Sequence, residues 1–164
     1  MKKNPLLALS LLGLIAVSGC NPHGELVPYL GKWDGKFTVL EAEPNATPND
    51  LDRESLRGYL MLYATKMLFK LHLEGEQETV DIEGTWRLEK GRVFLDTKKT
   101  SIDDMGGENF RDPNRKFIPG EAIRATYSKP VTLSLDKTKK KLSGLPITMG
   151  KVIGKHEFEK LGLR

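Results

Sequence analysis

From Gly31 onward the chain alternates between hydrophobic and polar residues. In 32–40, Trp33, Gly35, Phe37 and Val39 share one face, and Lys32, Asp34, Lys36 and Thr38 share the other. A period of two with aromatic and β-branched residues predicts a half-buried strand. The same pattern returns over 78–88, where Val80, Ile82, Gly84, Trp86 and Leu88 oppose Thr79, Asp81, Glu83, Thr85 and Arg87. Glu89-Lys90-Gly91-Arg92 then predicts a hairpin turn into a strand over 91–97.

The stretch 56–74 carries two periods at once. Leu56, Leu60, Tyr63, Met67 and Leu71 fit a helix, whereas Met67, Phe69, Leu71 and Leu73 alternate with Leu68, Lys70, His72 and Glu74. Gly58 weakens a helix here. The preferred reading is two strands, 57–64 and 66–74, joined at Ala64-Thr65-Lys66; a helix is the competing one. Further strands are expected over 121–128, 130–136 and 151–161. The pattern leaves 41–52 as a loop of turn formers and gives 98–120 neither period; loops that long are usually functional or mobile. Leu142–Gly150, apolar but rich in Gly and Pro, is assigned to no element. Sequential strands with short turns predict an all-β antiparallel meander of about eight strands, and closure into a barrel removes the exposed edges.

Before this domain lies an apolar run, Pro5–Val17, behind Met1-Lys2-Lys3. It is shorter than the roughly 20 apolar residues that span a bilayer and fits a signal helix. It ends at Val17-Ser18-Gly19-Cys20, with the single cysteine of the chain. These four residues resemble the lipobox of bacterial lipoproteins. That resemblance implies removal of 1–19, acylation of Cys20 and a membrane-lipid anchor, with 20–31 as a tether and 32–164 as one domain. Asn21, in place of the aspartate that commonly retains Gram-negative lipoproteins at the inner membrane, implies the outer membrane in such a host. A tether from Cys20 to Gly31 reaches at most about 36–40 Å.

The barrel reading is joined by a second resemblance. Gly31-Lys32-Trp33 is similar to the Gly-x-Trp motif that opens the lipocalin barrel, and Gly84-Thr85-Trp86-Arg87-Leu88 is similar to bacterial lipocalin-like domains. The lipocalin Thr-Asp-Tyr motif has no counterpart. The resemblance implies a basic partner for Trp33 near the end of the chain, Lys160 or Arg164, and a small apolar or amphiphilic ligand.

Charge and chemistry narrow the function further. The net charge of +4 falls to +2 once Lys2 and Lys3 are set aside, which gives a nucleic-acid role little support. One cysteine allows no disulfide within the chain. His23, His72 and His156 have no metal-ligand spacing; His72 and His156 are expected to face solvent. Asp103, Asp104 and Glu108 read as an acidic turn without the ligand pattern of a calcium loop. No nucleophile–base pair or phosphate loop is present, so neither catalysis nor a cofactor is expected. Trp33, Phe37, Phe69, Trp86 and Tyr127 are the candidate lining of a barrel cavity, with Met67 and Leu71 on the same face. Phe110 and Phe117, among Arg111, Arg115 and Lys116, are candidates to cap its mouth. An eight-stranded barrel is either filled or holds one small ligand. The expected protein is therefore a non-catalytic envelope lipoprotein binding a small apolar or amphiphilic ligand. The alternative is a filled barrel docking an envelope protein through 98–120.

Overall fold

The computed structural model of the chain describes residues 24–42, 46–104, 119–144, 147–149 and 152–160. The alternation at the start of the domain becomes strand β1 (Gly31–Glu41), which pairs antiparallel with β2 (Leu56–Leu62). Between them, part of the expected loop is a short helix, α1 (Pro48–Arg53). Thr47 caps it reciprocally with Asp50, each backbone N–H bonding the other's side chain. The ambiguous stretch 56–74 is two strands: β2 and β3 (Leu68–Glu74), joined through a 3-10 turn at Thr65–Met67. Its alternating residues Phe69, Leu71 and Leu73 are all buried, so burial on one sheet face decides against the helical spacing.

Next come β4 (Glu78–Glu89) and β5 (Arg92–Asp104), the longest pairing of the sheet. The strand expected over 91–97 thus runs seven residues further, into the supposed loop. A bulge explains why the pattern hid this. Gly84 pairs with Thr97 but Glu83 pairs with Lys99, leaving Lys98 as an extra residue and reversing the inward parity beyond it. Of the 98–120 loop, 105–118 lies outside the described residues.

The strand expected over 121–128 is instead a helix, α2 (Pro119–Tyr127). Pro119 suits a first helical position, and Glu121 pairs with Arg124 one turn on. Ala122, Ile123 and Tyr127 are buried, so the helix turns one side inward. The buried carboxylate of Glu78 accepts the Gly120 N–H at 2.9 Å, pinning the helix start to β4.

β6 (Val131–Leu135) pairs with β5 only from Arg92 to Leu95. The chain then forms β7 (Lys141–Ser143) and β8 (Ile147–Met149) within the stretch that the pattern left unassigned. Both lie along the same edge of β9 (Val152–Lys160), whose other edge pairs with β1. β7 and β8 therefore share one position in the wall, and nine strands make a closed antiparallel barrel of eight positions, consistent with a lipocalin-like barrel. The α2 helix packs against β8, β5 and β4, and β5 beyond Leu95 has no β6 partner.

The interior is one continuous apolar core. Trp33, Phe37, Phe69, Leu71, Leu73 and Ile82 are fully buried, at roughly 1.5–3 kcal/mol of stabilisation for each such aliphatic or Phe side chain. Gly154 makes room for one of them: a Cβ there would lie 2.2 Å from the Phe37 ring.

Candidate functional site

The five aromatic residues expected to line a cavity, Trp33, Phe37, Phe69, Trp86 and Tyr127, are all core residues packed against one another and their neighbours. The indole N–H groups of the two tryptophans are satisfied by backbone carbonyls. Trp33 Nε1 donates to the Tyr29 carbonyl at 2.8 Å, and Trp86 Nε1 donates to the Tyr63 carbonyl at 2.9 Å. Lys160 lies 5.1 Å from the Trp33 ring centroid and donates to the Pro28 carbonyl at 2.8 Å. Lys160 is thus the basic partner of the first tryptophan. These contacts also hold residues 24–30, expected as tether, against the barrel; Tyr29 is buried there and its hydroxyl donates to the Gly91 carbonyl at 3.2 Å. Cys20, Phe110 and Phe117 lie outside the described residues, as do His23, Glu108 and Arg164.

A small void lies beside Tyr127 and His156, about 10 Å³ in volume. That is at the lower limit for a single water and far below a ligand. His156 was expected to face solvent but shares the inward face of β9 with Gly154 and Phe158. Its ring lies 4.2 Å from that of Phe158, and Nδ1 lies 3.4 Å from the Tyr127 hydroxyl. Its Nε2 has no hydrogen-bond partner among the described residues. Burial pushes the imidazole pKa down to about 3 and the Tyr127 phenol up, so both are neutral at ordinary pH.

His72 is half-buried on the outer wall, with Nδ1 3.0 Å from Asp81 Oδ1 and its ring against Tyr59. Among the described residues, no group of three or more His, Cys, Asp or Glu side chains is placed to hold a metal ion.

A larger concavity lies outside the barrel. A groove of about 700 Å³ crosses the outer face of β2, β1, β9 and β7, within the roughly 300–1,000 Å³ of small-molecule sites. Gly35, Gly58, Gly144 and Gly154 lie along it. Leu40 and Ile153, 54% and 36% exposed, supply apolar surface on a wall that is otherwise polar.

The strand register sets the groove's charge. Lys36 stands directly opposite Arg57 on one side and Glu157 on the other; Asp34 stands opposite Glu159. Like charges placed directly across a sheet are destabilising, and two such pairs fall within this one groove. Lys155 bonds Glu157 at 2.6 Å and, with Lys141 and Lys36, draws its carboxyl below the usual range. The groove therefore combines an apolar strip with four cations, Lys36, Arg57, Lys141 and Lys155, only partly neutralised by carboxylates. The sequence signal for it was Leu40 and Ile153, apolar residues in phase with the polar face of their strands.

No family model matches the chain, and no curated protein matches it in sequence.

Proposed function

We propose that this chain is a lipid-anchored lipoprotein of the bacterial envelope that acts as a non-catalytic binding module. What it binds is a small amphiphile with an apolar body and an anionic head, seated in the outer groove. The observation that carries this is the pairing of exposed Leu40 and Ile153 with Lys36, Arg57 and Lys155 in one groove of about 700 Å³. The packed core supports a ligand seated on the barrel wall rather than inside the barrel. Val17-Ser18-Gly19-Cys20 supports the anchor through acylated Cys20, and Asn21 supports the outer membrane in a Gram-negative host.

Native mass spectrometry of protein purified from its host tests the binding. The expected result is a lipid-like adduct that disappears in the Leu40→Asp, Ile153→Asp double variant. Repeated recovery of bare protein overturns it. The filled core also supports a second reading, a solid barrel that docks an envelope protein through 98–120, and a stoichiometric protein partner in the same spectra favours that one.

A further inference from the structure

The barrel is electrically polar from end to end. The β2–β3, β4–β5 and β6–β7 connections lie at the end where β1 begins and β9 finishes. Their tips carry Lys66, Lys90, Arg92, Lys137, Lys139 and Lys140, all exposed. Of the acidic groups at this end, Glu25 and Glu159 are exposed, while Glu89 and Asp136 are engaged. Glu89 pairs with Arg87, and Asp136 accepts the Lys140 and Lys141 N–H groups at 2.9 and 3.0 Å. The opposite end carries exposed Glu41, Asp50, Asp52, Glu74 and Asp103, together with Glu76, which pairs with exposed Arg53.

Exposed large hydrophobic residues are sorted as well. Five are found among the described residues; Leu40 and Ile153 belong to the groove, and Val27, Tyr63 and Leu68 all lie at the basic end. The chain also enters the barrel there, since Pro28 and Tyr29 are held to Lys160 and Gly91.

The geometry points to this basic end as a docking face for an anionic lipid surface. Cations attract the acidic headgroups, while Val27, Leu68 and the Tyr63 ring enter the interface, the level favoured by aromatic residues with one wet edge. The anchor proposed at Cys20 brings the same end to a membrane, but the charge acts without an acyl chain.

The test uses the full chain carrying Cys20→Ser, so that no acylation contributes, and vesicles of phosphatidylcholine alone or mixed equally with phosphatidylglycerol. A tip variant (Lys66→Glu, Lys90→Glu, Lys137→Glu) is compared with a control of equal charge change away from this end and from the groove (Lys98→Glu, Lys99→Glu, Lys129→Glu). Each cation near such a surface contributes roughly fivefold in partitioning, so the tip variant loses about a hundredfold or more on the anionic vesicles. The control loses far less, and added salt weakens the unmodified chain towards the tip variant. Equal losses in both variants, or no loss in the tip variant, overturn the proposal. So does a tip effect on an anionic polymer column with no preference between the vesicles, which assigns the face to an acidic macromolecule. Circular dichroism verifies that both variants fold, and labelled fatty acid incorporation at Cys20 in the host tests the anchor separately.

Discussion

Lowering the pH should weaken this barrel through His156 well before its carboxylates titrate. In the unfolded chain a histidine takes up its proton near pH 6.5, whereas burial holds His156 neutral down to about pH 3. The folded pKa is depressed, so the full contribution to stability is present above pH 6.5 and is lost as pH falls towards 3. Across that window the unfolded state binds one more proton, which removes about 1.4 kcal/mol per pH unit. Between pH 7 and pH 5 the loss comes to about 2 kcal/mol, a large part of a small domain's stability. Urea unfolding followed by Trp33 and Trp86 fluorescence at pH 7, 6 and 5 measures it. His156→Leu removes the titrating group and should flatten the dependence by that amount, whatever it does to absolute stability. Asp50, Asp136 and Glu157, whose pKa values are also lowered, titrate at more acidic pH in both chains. Parallel pH dependences for the two proteins would refute the reasoning, since His156 would then be solvated or charged in the fold.

Two further substitutions probe the packing that fills the barrel. Gly154→Ala drives a methyl into the Phe37 ring and should cost about 1–3 kcal/mol in urea unfolding; Phe37→Leu in the same chain should recover part of it, and strict additivity would mean the ring can move aside. Lys160→Met removes a charge-assisted hydrogen bond and a cation over an aromatic face, offset by burying less charge, for a net loss of about 1–2 kcal/mol. Hydrogen exchange should rise first at residues 24–30, and unchanged protection there would place the clamp elsewhere.

Much of the barrel was legible because one-sided burial writes itself as period two. The strands β1 and β4 show it plainly, and even 56–74 resolves once Phe69, Leu71 and Leu73 are required to share a face. Other features concealed the rest. The bulge at Lys98 reverses parity midway along β5, so Leu95 before it and Ile102 after it fall out of phase although one strand carries both. In α2, Ile123 and Tyr127 are an even number apart and mimic a strand, while the better clue was Pro119 with Glu121 and Arg124 one helical turn apart. The wall position shared by β7 and β8 is too broken to show any period. The groove was harder still, because it depends on which charges the register sets side by side. Leu40 and Ile153 were its only trace in the chain.

The clasp of Lys160 on Pro28 brings the beginning and the finish of the fold to the same pole. A label fused beyond β9 therefore emerges beside the entering chain and crowds whatever that pole meets. A label inserted in the turn between β3 and β4, at Gly75–Gln77, emerges from the far pole instead. Attachment chemistry for imaging or capture belongs there, where it leaves the basic face unobstructed.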